Sequence, residues 1–297
     1  MINNPISCKS IFLTGATGFL GGYIARSLVR QGHRLFCYKR LSSETGKLED
    51  LVNYITWVDI PPARFFRERQ IDAVIHCATN YGRNQSAFDI FQTNIFLPLS
   101  ILHASAENQV STFFNFDTVL DRQLNEYSLS KKTFLEWSNK FRHEVNFVNI
   151  KLHHFYGPND NPSKFTSSVI QSLRDEERTL KFTSGIQKRD FIFIDDVVDA
   201  SNLIFNYYLR NKHDPREFEI GTGTTVSIKE FVETAKRVAQ NKNTELEFNA
   251  LPDRENEIYN LVSDISEIQN LGWRPAVSLI EGLKRCFNPS GEHECVA

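Results

Sequence analysis

The segment GATGFLG, residues 15–21, directly follows the apolar run Ser10–Thr14 and opens a helical pattern that continues to about Gln31. Glycines let the backbone turn tightly and approach a pyrophosphate, whose charge the N-terminus of the helix favours. Any strand-to-helix turn can use glycine, but glycines spaced in this way between a strand and a helix indicate a dinucleotide site. The sequence therefore predicts a cofactor-binding turn formed by Gly15, Thr17, Gly18, Phe19, Leu20 and Gly21.

Short apolar runs alternate with helical patterns through the first half of the chain. Strands are predicted at 34–38, 54–58, 72–77, 112–116 and 146–152, and long helices at 88–107 and 127–141. This alternation is typical of parallel strands joined by crossover helices. After Tyr156-Gly157-Pro158 the segments are shorter and mixed, with predicted helices at 164–174 and 228–240 and a strand at 245–248.

These patterns predict an α/β fold, a doubly wound parallel Rossmann sheet with a smaller mixed C-terminal substrate lobe. We assign residues 1–156 to a dinucleotide-binding domain, with returns near 190–228. Residues 157–189 and 229–297 are assigned to the substrate-binding lobe, and the polar residues from about Pro289 are expected to be frayed.

Composition and charge exclude several kinds of protein. The formal net charge is -2 and the basic residues are scattered, which disfavours a nucleic-acid partner. The apolar runs are far shorter than the ~20 residues that a membrane span needs. The first ten residues carry no apolar signal core, and the five cysteines form no CxxC pair, so we expect free thiols in a cytoplasmic protein.

The residues after the second predicted strand bear on the choice of cofactor. A site that prefers NAD usually places an acid there to bind the ribose 2′-hydroxyl. Here the strand ends in Tyr38-Lys39-Arg40, and two cations suit the 2′-phosphate of NADPH unless they are simply solvated charges. Asp59, after the third predicted strand, is placed to accept a hydrogen bond from the adenine amino group, although a strand-end aspartate is also ordinary.

The segment YSLSK, residues 127–131, places Tyr127 and Lys131 on one face of a predicted helix. Tyrosine titrates near pH ~10 in water, too high for acid–base work at neutral pH. A neighbouring ammonium favours the phenolate, so we expect Lys131 to lower the pKa of Tyr127 and let it transfer protons.

Several further motifs carry a resemblance along almost the whole chain: HCA at 76–78, Asn94, FYGP at 155–158, RDFIFIDDV at 189–197, GTG at 221–223 and LGW at 271–273. Together with GATGFLG and YSLSK, they make the sequence resemble the extended short-chain dehydrogenases/reductases of the nucleotide-sugar epimerase/dehydratase superfamily. The segments FDTVL, NEYSLSKK, KRDFIFIDDVVDA and RENEIYN resemble more narrowly the branch that holds CDP-abequose synthase and related 4-keto-6-deoxysugar reductases.

The resemblance implies roles for particular residues. The catalytic group would be Thr118, Tyr127 and Lys131, with Thr118 hydrogen-bonding the substrate oxygen. Thr118 could instead simply end its strand, and the short loop before Tyr127 leaves Ser128 as a less favoured substitute. Tyr127 and Lys131 would also contact the cofactor, together with Ile60, Cys77, Ala78, Thr79 and Asn94.

The resemblance also implies a nucleotide-diphosphate sugar substrate. Its contacts would be Tyr81, His154, Lys164, Phe165, Arg189 and Arg254, although each of these cations could be a surface charge. His154 occupies a place where many relatives use Asn. Because no cysteine or carboxylate cluster lies near His153 and His154 in the sequence, we expect no metal site.

Three chemistries share this scaffold, so the fold alone does not decide the reaction. The 4,6-dehydratases need an acid and a base directly after the threonine, but Thr118 is followed by Val119 and Leu120, which transfer no protons. Epimerases retain their NAD, whereas Lys39 and Arg40 favour a reductase that draws on NADPH. We therefore expect reduction of a C4 ketone on a CDP-linked sugar for O-antigen precursors.

Two rival functions stay open, an NAD-dependent nucleotide-sugar 4-epimerase and a non-catalytic NADPH-sensing regulator. An intact YSLSK segment argues against the regulator. The family resemblance also implies a homodimer. Phe91, Ile95, Phe134 and Trp137 on the two long predicted helices could form its interface, or they could all belong to the core.

Overall fold

A computed structural model describes residues 7–210, 216–254 and 257–288. The residues from Pro289 onward, expected to be frayed, lie outside this part of the chain. The strands are β1 Ser10–Thr14, β2 Arg34–Tyr38, β3 Ile55–Val58, β4 Ala73–His76, β5 Thr112–Thr118, β6 Asn146–Leu152, β7 His154–Tyr156, β8 Thr179–Lys181, β9 Lys188–Arg189, β10 Phe191–Phe193, β11 Glu217–Ile220, β12 Val226–Ser227, β13 Glu245–Glu247 and β14 Asn260–Leu261.

Ten α-helices accompany these strands within the described residues. They are α1 Phe19–Arg30, α2 Pro62–Glu68, α3 Ala87–Phe91, α4 Leu97–Glu107, α5 Glu126–Ser138, α6 Phe165–Arg174, α7 Ile194–Arg210, α8 Ile228–Val238, α9 Ser266–Asn270 and α10 Leu279–Phe287.

The largest sheet has seven strands in the order β11-β6-β5-β4-β1-β2-β3. Strands β1 to β6 pair in parallel, and their register aligns Val58, Tyr38, Thr14, His76 and Asn115 in one row across the sheet. The expectation of a doubly wound parallel Rossmann sheet is confirmed. Parallel strands end at a common edge, which is where such folds bind ligands, so this edge is where the candidate site is sought.

The central strands β1, β4 and β5 are buried on both faces, which explains their nearly continuous apolar sequences. One core layer contains aromatic rings from several strands and from α5, among them Phe12, Phe36, Phe113, Phe134 and Phe147. The rings of Phe113 and Phe147 stack with centroids 5.6 Å apart. This packing anchors the helix that carries Tyr127 and Lys131 against the sheet.

The chain divides into two compact units, Met1–Leu152 with Val198–Glu219, and His153–Val197 with Ile220–Ala297. The sequence-based division placed 153–156 and the returns near 190–228 with the dinucleotide-binding domain. The first unit does return within that range, at Val198–Glu219. Strands β7 and β10 lie in the second unit, where they pair with each other in parallel. The roles of the two units in binding stay predictions.

The helix predicted at 88–107 is interrupted. A π-helical turn, Gln92–Phe96, separates α3 from α4, and π turns are frequent at functional sites. The four apolar residues that the sequence suggested for a dimer interface or for the core differ in how far they are buried. Phe134 is fully buried, Ile95 is partly buried, and Phe91 and Trp137 are about half exposed.

A buried carboxylate organises the second unit. Asp190 is fully buried and accepts hydrogen bonds from the backbone of Thr222 (2.8 Å) and Gly223 (3.0 Å) and from the hydroxyl of Ser263 (2.5 Å). It lies between β9 and β10 and therefore ties this segment to the GTG loop at 221–223.

We expect Asp190→Ala to lower the free energy of unfolding by roughly 3 kcal/mol or more, because each buried donor left without a partner costs about 1–3 kcal/mol. Urea unfolding followed by circular dichroism measures the change. The matched control is Asp195→Ala, which removes an exposed pair with Arg285 and is expected to cost at most about 1 kcal/mol. Equal effects of the two substitutions would contradict the assignment.

Candidate active site

The glycine turn brings β1, α1 and the segment after β4 into close contact. Gly15 has φ +74°, a backbone conformation that residues with a side chain rarely adopt. A Cβ at this position would lie 2.6 Å from the amide nitrogen of Ala78. A Cβ on Gly21 would lie 2.1 Å from the Gly15 carbonyl oxygen. Gly18 caps α1 without a side-chain hydrogen bond, an arrangement that suits a phosphate at the helix N-terminus. The residues at 15–21 therefore fit a dinucleotide.

The carboxyl ends of β2 and β3 extend the same edge. Lys39 is half-buried and Arg40 is exposed, and neither forms an ion pair with another described residue. Burial and the nearby carboxylate of Asp59 raise the pKa of Tyr38. Two cations and one carboxylate thus flank the end of the strand where an adenosine ribose would lie in a Rossmann site. Ile60, the other cofactor contact implied for this segment, directly follows Asp59.

The helix that carries the tyrosine and lysine begins with a capping box. The Asn125 side chain accepts a hydrogen bond from the Ser128 amide (2.9 Å), and the Ser128 hydroxyl accepts one from the Asn125 amide (3.2 Å). The box fixes the first turn of α5 and so the direction of Tyr127. Because Ser128 is fully buried in this role, it is not positioned as a substitute for Thr118.

Thr118 ends β5 and is almost completely buried. Its side chain and that of Thr79 both hydrogen-bond the Tyr127 side chain. The ring of Tyr81 lies over Tyr127, with centroids 5.0 Å apart. Three residues, from the end of β5 and from the segment after β4, therefore converge on one phenol.

Lys131 is not among the groups that shift the pKa of Tyr127, contrary to the expectation from the sequence. Burial raises the pKa of Tyr127, and Tyr81 and Asp117 raise it further. The hydrogen bonds with the two threonine hydroxyls lower it, but by less. Lys131 is buried and its ammonium donates a 2.5 Å hydrogen bond to the Phe116 carbonyl. Helical spacing places the two side chains on one face, but this carbonyl holds the ammonium. The phenol is therefore protonated at neutral pH.

Asn94 lies in the π turn and is buried. Its amide nitrogen donates to the Asn80 carbonyl (2.8 Å) and the Ser130 hydroxyl (2.9 Å), and its oxygen accepts from the Asn80 amide (2.7 Å). Asn94 therefore connects the segment after β4, which carries Cys77, Ala78 and Thr79, to α5. The cofactor contact that the sequence suggested for Asn94 stays a prediction.

Sequence analysis missed three polar residues behind the site: Asp117, Lys132 and Asn149. The available signal was a charged residue within an otherwise apolar strand. A charge at such a position needs a partner, and Lys132, the second lysine of NEYSLSKK, supplies it.

The predicted substrate contacts, apart from Tyr81, lie in the second unit. Lys164 caps α6, pairs with Asp160 at 3.0 Å and lies 4.3 Å from the centre of the Phe155 ring, while Phe165 begins α6. Arg189 pairs with the buried carboxylate of Glu257, and Arg254 is exposed. Burial lowers the pKa of His154 to about 3, helped by Arg189, His153 and Lys164, so this histidine is neutral at physiological pH.

Two negative findings apply to the described ranges 7–210, 216–254 and 257–288. No group of three potential metal-ligating side chains is found there. No helix in these ranges is both long and apolar enough to cross a membrane.

The fold and these residues define a nucleotide-sugar-type short-chain dehydrogenase scaffold, and comparison with known families agrees. The model of the NAD dependent epimerase/dehydratase family matches residues 11–221. The chain belongs to this family. It is 30% identical to CDP-abequose synthase of Salmonella muenchen over 290 residues, which covers 94% of this chain and 97% of the relative. The dTDP-D-glucose 4,6-dehydratase of Mus musculus is 25% identical over 314 residues, 93% of this chain and 87% of the relative.

Solved structures share the fold. The UDP-glucose 4-epimerase of Thermotoga maritima, solved with UDP-glucose, superposes with a TM-score of 0.82 at 21% identity, covering 94% of this chain and 97% of the other. The UDP-glucuronic acid 4-epimerase of Bacillus cereus, solved with UDP-glucuronic acid and NAD, gives a TM-score of 0.80 at 20% identity, covering 94% and 98%.

The lowered pKa of His154 predicts a dependence of stability on pH. A histidine that titrates lower in the folded than in the unfolded chain destabilises the fold as pH drops below about 6.5, by up to about 1.4 kcal/mol per pH unit. Between pH 7.5 and 5.5 the free energy of unfolding of the unmodified chain is expected to fall. We expect this fall to be smaller in His154→Asn by at least about 1 kcal/mol. Urea unfolding at both pH values measures this.

The control for this experiment is His103→Asn, which changes an exposed histidine on α4. Its loss of stability on acidification is expected to match that of the unmodified chain. If His154→Asn also matched it, the histidine would not be held neutral by its surroundings.

Proposed function

We propose that this chain is an NADPH-dependent oxidoreductase that reduces the C4 keto group of a nucleotide-linked 4-keto-6-deoxy sugar, possessing or lacking the 3-hydroxyl. The nucleotide is CDP, by analogy with the CDP-abequose synthases that the chain resembles at 30% identity over nearly its whole length. The reaction serves the synthesis of surface polysaccharide (O-antigen) precursors. We further propose a cytoplasmic homodimer.

The observation that carries the proposal is the position of the Tyr127 phenol, which is hydrogen-bonded to Thr118 and Thr79 and lies under the ring of Tyr81. A reductase needs a proton donor at the start of each turnover, because the carbonyl oxygen becomes an alkoxide. The raised pKa of Tyr127 keeps that proton in place. The residues after Thr118 are Val119 and Leu120, which cannot exchange protons with a sugar carbon, and this argues against dehydration.

NADPH, when bound, supplies the hydride for the carbonyl carbon. Tyr127 gives its proton to the oxygen as negative charge develops there, and the Thr118 hydroxyl donates a hydrogen bond to the same oxygen. Lys131, whose ammonium is held by the Phe116 carbonyl, would add a fixed positive charge to the site, which favours a developing anion because the site is already organised before reaction. The glycine turn, with Gly15 and Gly21 in contact, would hold the pyrophosphate.

An NAD-dependent 4-epimerase is the second candidate, since the chain is 25% identical to a putative UDP-glucose 4-epimerase of Methanocaldococcus jannaschii over 94% of its length. Such an enzyme regenerates its NAD in every cycle. Cofactor analysis of the purified protein separates the two functions: tightly bound NAD without net NADPH consumption would favour the epimerase. An NADPH-sensing regulator would bind NADPH and turn over no sugar.

The direct test is NADPH oxidation, followed at 340 nm, with CDP-, dTDP-, UDP- and GDP-linked 4-keto-6-deoxysugars. We expect turnover with the CDP-linked sugars. Tyr127→Phe is expected to lower kcat by about 10²–10⁴-fold, the usual contribution of a positioned general acid. Tyr54→Phe, at an exposed tyrosine, should retain full activity. Turnover with no sugar of the panel would overturn the reductase assignment.

A second test concerns the 2′-phosphate. Arg40→Ala is expected to weaken NADPH binding roughly 10–100-fold and to leave NADH binding unchanged, since a hydrogen bond to a charged group contributes about 1.5–3 kcal/mol. Quenching of cofactor fluorescence measures both affinities. The control, Arg64→Ala, removes an exposed arginine of α2 and should change neither. Equal weakening of NADPH and NADH by Arg40→Ala would contradict the assignment.

A further inference from the structure

A charged residue lies inside the central strand that ends at Thr118. Asp117 is almost completely buried, and its neighbours Phe116 and Thr118 are buried as well. Taking a carboxylate out of water costs several kcal/mol unless it is paired and hydrogen-bonded. Asp117 therefore has a role that an uncharged strand residue would not fill.

The partner of Asp117 is Lys132. The Lys132 ammonium lies 2.9 Å from Asp117 Oδ2 and donates a 2.6 Å hydrogen bond to the Thr118 carbonyl. The other carboxylate oxygen of Asp117 accepts a 2.7 Å hydrogen bond from the Thr118 amide. The pair thus holds both main-chain polar groups of Thr118.

The neighbouring lysine extends this arrangement by one residue. Lys131 donates to the Phe116 carbonyl at 2.5 Å, so two consecutive lysines of α5 bind residues on both sides of Asp117. Asn149, in the adjacent strand β6, donates to Asp117 at 3.1 Å and to Glu217 at 2.9 Å. The end of β5 is therefore fixed from the helix and from the sheet.

Buried ion pairs contribute little net stability compared with apolar residues of similar size. What Asp117 and Lys132 do provide is a defined orientation for Thr118 and a local charge beside Lys131. We propose that Asp117 and Lys132 form a positioning pair, which orients Thr118 and sets the balance of charge beside Lys131 for the reaction proposed above. This inference rests on that proposed function.

The ionisable groups around Lys131 come from several elements. His76 and Cys77 are at the end of β4, Asp117 is in β5, and Lys132 is in α5. Burial lowers the pKa of Lys131; Asp117 and Cys77 raise it, and Lys132 lowers it. The two members of the pair therefore act on Lys131 in opposite directions.

This opposition gives a test that a purely structural role would not satisfy. NADPH affinity is measured against pH from 7 to 10.5 by fluorescence, since loss of the Lys131 charge should weaken binding at high pH. We expect Asp117→Asn to move the inflection to lower pH by about one unit and Lys132→Met to move it higher. The double variant should return close to the unmodified chain, and Lys131→Met should abolish the inflection.

Catalysis supplies the second readout. With the sugar that turns over in the panel, Asp117→Asn and Lys132→Met are expected to lower kcat about tenfold or more with a smaller change in KM, because Thr118 acts on the developing alkoxide. Lys132→Arg should restore part of the rate. Lys140→Met, at an exposed lysine beyond α5, is the control for loss of a positive charge and should leave the rate unchanged.

The outcomes separate this inference from the proposed function. Inflections that move in the same direction in both single variants, or do not move, would overturn the positioning pair even in an active enzyme. Inflections of NADPH affinity that move to lower pH in Asp117→Asn and to higher pH in Lys132→Met would support the pair even if the sugar panel gave no turnover. Circular dichroism of each variant establishes that it is folded.

Discussion

The contact between Gly21 and Gly15 is the constraint on which the rest of the candidate site depends. Because neither residue has a Cβ, α1 can pack directly on the turn that follows β1. The same turn contacts the backbone of Ala78 after β4. Any side chain at Gly21 would separate the helix from the sheet. The closeness of these three backbones shapes the N-terminal end of α1, where the pyrophosphate is proposed to bind, and brings the segment of Thr79 toward Tyr127.

Burial has the larger influence on the acid–base group. In water a nearby ammonium would favour the phenolate, but in the structure the Lys131 ammonium donates its hydrogen bond to the Phe116 carbonyl. Desolvation then dominates the pKa of Tyr127 and keeps the phenol protonated. This state suits a net reductase, whose tyrosine must begin each cycle as an acid. The same site would have to be poised differently for a reaction that first removes a proton.

Polar residues within the apolar sheet explain how the site stays ordered. Asn94 ties the segment after β4 to α5, and Asp117 with Lys132 ties β5 to the same helix. Asn94 and Asp117 are buried, Lys132 is partly buried, and each forms hydrogen bonds or an ion pair, which is the condition for a polar group inside a protein. Helix α5 is thus held by the apolar packing of its own Phe134 and by directional bonds near Tyr127.

The sequence by itself determined the parallel sheet, the glycine turn and the Tyr127–Lys131 helix, because local patterns of two and 3.6 residues and the backbone freedom of glycine encode them. It could not determine the π turn at Gln92–Phe96, the membership of β7 and β10 in the second unit, or the direction of the Tyr127 pKa. Only the tertiary structure decided these features. They depend on which distant groups meet after folding: β7 with β10, Lys131 with the Phe116 carbonyl, and Asp117 with a lysine from another element.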